Sequence, residues 1–169
     1  GFIASAATLK VIDQPTDPRV DLATIMEREH ALAGVNGGYF DPQDAPVGLL
    51  ISGGKQIASL SSARLLSGVL FTKAGHVEIV RAKRFVKSPR IDSAVQCGPL
   101  LVDGAKPVIG LNDTRPARRT FAIIDGKGGA ALGYCSSVSL AQLAEILALP
   151  TVAGPHPVAR ALNLDGGSS

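Results

Sequence analysis

The chain reads as an α+β fold, a mainly antiparallel or mixed β-sheet built from hairpins, with two principal helices. Three observations predict it. Short apolar runs are separated by turn pairs ending in glycine, at Gly53-Gly54, Ala74-Gly75 and Asp103-Gly104, the chemistry that tight hairpin turns favour. The 169 residues include 19 glycines and 11 prolines, an excess that means many turns and therefore short strands. Only two stretches repeat apolar residues at helical spacing.

Taken in order, residues 2–12 form a weakly patterned first strand. Asp17-Pro18 and Asp21 offer helix starts, and Leu22, Ile25, Met26 and Glu29 recur at helical spacing to about Ala31. Residues 33–36 make a short strand that ends in Gly37-Gly38. Residues 47–52 and 55–59 flank Gly53-Gly54 as a first hairpin. A second joins 68–72 to 76–81, a third joins 100–102 to 105–108, and a fourth joins 119–124 to 130–135 across a glycine-rich turn. The clearest helix follows. Ser139 caps it, Gln142 completes a capping box, and Leu140, Leu143, Ala144 and Leu147 line one face until Pro150 stops it. Residues 158–164 are the last strand. Strand runs with two helices fit an α+β domain, and neither a repeat nor a linker divides it.

Bulk composition narrows the class. With 46% apolar and 18% charged residues the chain is globular. At this length it is one domain, residues 1–169, which buries roughly 70% of its unfolded surface. A net charge of +3, aromatics at 4% and no tryptophan do not supply the basic stripe and stacking rings of a nucleic-acid binder. Basic residues gather at 81–90 and 115–119, as solvated loops do and as sites for small anions do. No run is long enough to span a bilayer. The start at Gly1 lacks the basic opening and apolar run of a signal peptide, as expected of a mature or trimmed chain. Cys97 and Cys135 form either one disulfide or two buried thiols. His and Cys show no zinc-ligand spacing, so no metal or cofactor is expected. Nothing in the sequence sets an oligomeric state.

Four polar blocks interrupt the hairpins: Asn36-Gly37-Gly38-Tyr39-Phe40-Asp41, Gln96-Cys97-Gly98-Pro99, Arg115-Pro116-Ala117-Arg118-Arg119-Thr120, and Asp165-Gly166-Gly167-Ser168-Ser169. Each has a bland reading: a bulge, a kinked strand, an exposed basic loop and an Asp-Gly turn, in that order. Together they hold the parts for an anionic, sugar-like substrate. Arginine forks and backbone amides suit phosphate oxygens, and carboxylates handle a proton or a nucleophilic step. Serine-hydrolase and Walker-type phosphate motifs are missing.

The ordered series Asn36-Gly37-Gly38-Tyr39-Phe40-Asp41, Pro46-Val47-Gly48-Leu49-Leu50-Ile51, Gln96-Cys97-Gly98-Pro99-Leu100-Leu101-Val102-Asp103-Gly104, Arg119-Thr120 and Leu162-Asn163-Leu164-Asp165-Gly166-Gly167-Ser168-Ser169 resembles the phosphodiester glycosidase family. The resemblance runs from Asn36 to the C-terminus. It implies hydrolysis of a sugar-1-phosphodiester, with a phosphorylated carbohydrate as substrate, in an extracytoplasmic setting. It implies further that a C-terminal segment follows the last motif. On matching positions, Asn36, Asp41, Arg119 and Asp165 are the expected catalytic residues. Gly37, Gly38, Gln96, Arg118, Thr120, Gly166, Gly167 and Ser168 are the expected substrate contacts. A non-catalytic envelope module that binds glycans or phosphopolymers is the competing class. A metal-dependent phosphodiesterase would need more carboxylates near Asp165 than the sequence offers.

Overall fold

Helix α1 (Leu22–Arg28) starts where its capping residue predicts, with Asp21 Oδ1 accepting from the Thr24 N–H at 2.8 Å. The computed structural model describes residues 9–14 and 20–165. The Asp17-Pro18 helix start, most of the first strand, Gly166, Gly167 and Ser168 therefore lie outside the described residues.

Among the described residues the strands are β1 (Leu50–Ser52), β2 (Lys55–Ala58), β3 (Gly68–Lys73), β4 (His76–Arg81), β5 (Ile91–Cys97), β6 (Leu100–Asp103), β7 (Lys106–Pro107), β8 (Ala117–Ile124), β9 (Ala130–Val138) and β10 (Arg160–Asn163). Helix α2 (Leu140–Leu147) lies between the last two. One sheet has the order β2-β1-β5-β3-β4 and the other β7-β6-β10-β8-β9. Every pairing is antiparallel. The chain is thus α+β, and all four expected hairpins form. At the first of them Gly53 and Gly54 take φ of 54° and 75°, the two positive values a two-residue hairpin loop requires.

The two sheets pack face to face. Leu50, Leu70, Ile79, Val95 and Cys97 of the first meet Leu100, Ala122, Ile124, Leu162 and Leu164 from the second. Helix α2 covers the far side of the second sheet, setting Leu143, Ala144 and Leu147 against Leu101, Phe121 and Ala161. Each buried leucine there is worth about 1.5–3 kcal/mol. The capping box at Ser139 and Gln142 adds about 1 kcal/mol. The outer side of the first sheet is covered too, since Ile51, Val69 and Phe71 pack with Phe85.

Three expectations are corrected and one strand is added. Residues 9–12 join no ladder, although Val11 is tied to the first sheet through the Ser93 and Ser52 hydroxyls. Residues 33–36 are a connector, because Gly34 packs under α1, where a Cβ would lie 3.0 Å from Met26 Cγ. Strand β1 begins at Leu50, since the Leu49 N–H is met by the Gln96 side-chain oxygen at 3.1 Å. The central strand β5 was not placed from sequence. Asp92, Ser93 and Gln96 break its apolar pattern, and it is held instead by neighbours on both sides.

Candidate functional site at the end of β10

Strand β10 delivers its C-terminal residues to the seam between the sheets. Asn163 N–H bonds the Pro99 carbonyl at 3.0 Å, and Leu164 N–H bonds the Thr120 carbonyl at 2.8 Å. Asp165 N–H then leaves the sheet and donates to the Gly37 carbonyl at 3.0 Å. Two sequence blocks separated by more than a hundred residues meet at that bond. The Cys97 thiol donates to the same carbonyl at 3.1 Å.

A buried polar cluster supports the junction. The Tyr39 hydroxyl donates to the Gly98 carbonyl at 2.7 Å. Asn163 Nδ2 reaches the Tyr39 hydroxyl (3.2 Å), the Gly98 carbonyl (3.1 Å) and the Leu164 carbonyl (3.0 Å). Its Oδ1 is buried with no hydrogen-bond partner, an arrangement that costs free energy unless a donor completes it. Burial, aided by Cys97, raises the Tyr39 phenol far above its ordinary value. Burial also pushes the Cys97 thiol up to about 12, which leaves almost no thiolate near neutral pH. Cys97 is therefore a hydrogen-bond donor here and not a nucleophile. Both cysteines are free, Cys97 in the inter-sheet core and Cys135 on β9.

The two glycines of the first block lie over β5. A Cβ at Gly38 would come 3.2 Å from Val95 Cγ2, and one at Gly37 would come 3.8 Å from it. Asn36, which precedes Gly37, is exposed, and Asp165 is partly exposed. Asp41 sits at the far end of this loop. Its Oδ1 accepts from the Gln43 and Ala45 N–H groups at 2.9 Å each, closing its own turn.

Arg119 enters from β8. Before Asp165 leaves the sheet, the pairing that sets Asn163 opposite Phe121 continues to the Leu164 bond with Thr120, the chain neighbour of Arg119. Its guanidinium donates to the Val138 carbonyl (3.4 Å) and the Arg115 carbonyl (3.0 Å). Among the described residues no carboxylate pairs with it, so its charge is available to an anion. Strand alternation puts Arg118 and Thr120 on the other face. There Thr120 is buried beside the core positions Ala122 and Ile124, and Arg118 is exposed.

Gln96 does not fit its expected place as a substrate contact. Its Oε1 accepts from Leu49 and Ser61, and its Nε2 donates to the Ser61 and Leu66 carbonyls. That uses its whole hydrogen-bonding capacity. Its work is to pin the loop between β2 and β3. Tyr39 and Asn163 were missed as site-building residues. A signal for Asn163 was present, since a lone amide within an apolar strand must find partners.

Three comparisons bear on this arrangement. The model of the phosphodiester glycosidase family matches residues 29–169. The uncharacterized protein YigE of Escherichia coli (strain K12) is 35% identical over 89 residues, 48% of this chain and 35% of that protein. The catalytic domain of zebrafish N-acetylglucosamine-1-phosphodiester alpha-N-acetylglucosaminidase, auto-inhibited by its pro-peptide, superposes with a TM-score of 0.61 at 18% identity. That match covers 79% of this chain and 50% of the zebrafish chain, so the chain spans about half of that relative or less. The fold is shared, and the family match takes in all four polar blocks: this chain belongs to the phosphodiester glycosidase family.

Proposed function

We propose that this chain is a hydrolase that cleaves a sugar-1-phosphodiester, of the N-acetylglucosamine-1-phosphate type, in a glycan or envelope polymer outside the cytoplasm. The observation that carries this reading is the bond from Asp165 N–H to the Gly37 carbonyl, made one residue beyond the Leu164 bond to Thr120, the chain neighbour of Arg119. Membership of the family and the substrate in the zebrafish relative's name support the sugar named.

In this reading the bond between the anomeric carbon and the phosphate oxygen breaks. Water supplies the hydroxyl of the released sugar and one proton, and the phosphate departs as a monoester. Negative charge concentrates on the departing phosphate, and the unpaired Arg119 guanidinium stabilises it, a stabilisation that acts mainly in the transition state. Asp165 serves as general acid or nucleophile at the anomeric centre, with Asp41 as second carboxylate or orienting group. Asn36 hydrogen-bonds the sugar or the leaving oxygen. Arg118 and Thr120 act behind Arg119, and the amides of Gly37, Gly38, Gly166 and Gly167, with the Ser168 hydroxyl, shape the wall.

The test is turnover of a chromogenic N-acetylglucosamine-1-phosphodiester by the wild type and by Asp165→Asn. The variant keeps the backbone N–H that bonds Gly37, so it should fold normally and lose about 10²–10⁴ in rate. Equal rates would remove Asp165 from the chemistry. Binding without turnover by the wild type would favour a glycan-binding module.

A further inference from the structure

The loop between β2 and β3 and the turn after β4 line an open cavity of about 470 Å³. Three cations line it, Arg64, Arg81 and Lys83, and no acid does. Arg81 shares Asp103 with Arg160, so one carboxylate serves two guanidiniums and that trio keeps a net positive charge. Among the described residues Arg64 and Lys83 meet no carboxylate at all. The Ser62 hydroxyl adds a neutral donor at the lip.

The basin has a fixed floor. Gln96 holds the Ser61 and Leu66 ends of the loop through its buried amide. Ser67 Oγ accepts from the Leu100 N–H at 2.8 Å, and the Ala82 N–H bonds the Ser67 carbonyl at 2.8 Å. Gly98 lies against the loop so closely that a Cβ would fall 1.9 Å from the Leu65 carbonyl oxygen. The carbonyl of that same glycine holds Tyr39 and Asn163. The loop that lines the basin therefore also packs on the glycine that supports the seam. Uncompensated cations in a concave site with fixed walls attract multiply charged oxyanions, and guanidinium forks suit phosphoryl oxygens.

We propose that this basin is a second phosphate subsite. Resting on the function above, it makes the substrate a glycan that carries phosphate at more than one position: the departing phosphate meets Arg119, and another is held by Arg64, Lys83 and the free edge of Arg81.

The experiment titrates the full chain with inorganic phosphate at constant ionic strength, against chloride, following backbone amide shifts by NMR. Phosphate should move the amides of Ser62, Arg64 and Lys83. The variant R64E/K83E, altered only at exposed side chains, should keep a folded spectrum and lose those shifts. Unmoved amides in the wild type, or identical shifts in the variant, would overturn the subsite. A kinetic arm compares a diester with a second phosphate to one without. The ratio of their kcat/KM values should fall about tenfold in the variant, and an unchanged ratio would overturn the substrate class. Failure of the wild type to turn over either diester counts against the hydrolase reading, while the amide shifts still decide the basin.

Discussion

The Asp165 N–H and the Gly37 carbonyl, 3.0 Å apart, tie the end of the last strand to a loop near the start of the chain. Each partner belongs to a glycine-rich acid turn that alone would pass for ordinary punctuation. The Cys97 thiol bonds the same carbonyl, and Asn163 and Tyr39 brace the junction from beneath. The site is built on the ends of two packed sheets, and only its outermost groups stand on loops.

Arg119→Ala should lower kcat/KM for a sugar-1-phosphodiester by about 10²–10³, because it removes a charge aimed at the departing phosphate. Arg119→Lys should restore part of that loss, since a point charge replaces the fork but not its geometry. Steady-state kinetics on the three proteins checks both. An alanine variant within twofold of wild type would take Arg119 out of the site.

Gly98→Ala should cost about 3 kcal/mol or more in urea unfolding. Its Cβ would collide with backbone, 1.9 Å from Leu65 O and 2.9 Å from Ser67 N. Gly68→Ala should cost less, about 1–3 kcal/mol, because the nearest obstacle is the Leu162 Cδ1 atom at 2.4 Å, which can rotate away. The reverse order would mean that the loop, and not the core, yields.

Asn163→Leu should destabilise the fold by about 1–3 kcal/mol by stranding the Leu164 carbonyl and leaving the Gly98 carbonyl to Tyr39 alone. Tyr39→Phe should cost about 1 kcal/mol through loss of its bond to Gly98. Since the two side chains touch, the double variant should cost measurably less or more than the sum. Strict additivity in a chemical-denaturation cycle would show that the cluster does not act as a unit.

Acid stability should depend on Asp103. Burial raises its pKa, but hydrogen bonds from Arg81 and Arg160 and their charges outweigh that and hold it below the ordinary carboxylate value of 3.8. A carboxyl depressed in the folded state stabilises the protein above its unfolded pKa, and the contribution is lost as pH falls through the folded one. Stability should therefore decline below about pH 4, and Asp103→Asn should flatten that limb. Thermal melts from pH 2 to 6 measure it.

Much of this was legible without coordinates. The four hairpins follow from turn pairs between apolar runs, and helix α2 follows from its capping box and one-sided leucines. These are local rules, satisfied within a dozen residues. Strand β5 escaped because Asp92, Ser93 and Gln96 spoil its pattern. Gln96 was expected at the substrate because it falls in a motif that matches the family, whereas its amide is consumed by Leu49 and the loop between β2 and β3.

The α+β class, the hairpin order, the capped helix and the family are written in short motifs whose meaning does not depend on distant partners. Which motifs share a place is settled by the packed fold. It joined Asp165 to Gly37 and set Leu164 against Thr120, the chain neighbour of Arg119. It also gave Asn163 and Tyr39 their supporting work, and it left Arg64 and Lys83 around a cavity without an acid. Those outcomes are set by sheet register and by the packing of two sheets against each other, which bring together residues that no local pattern relates.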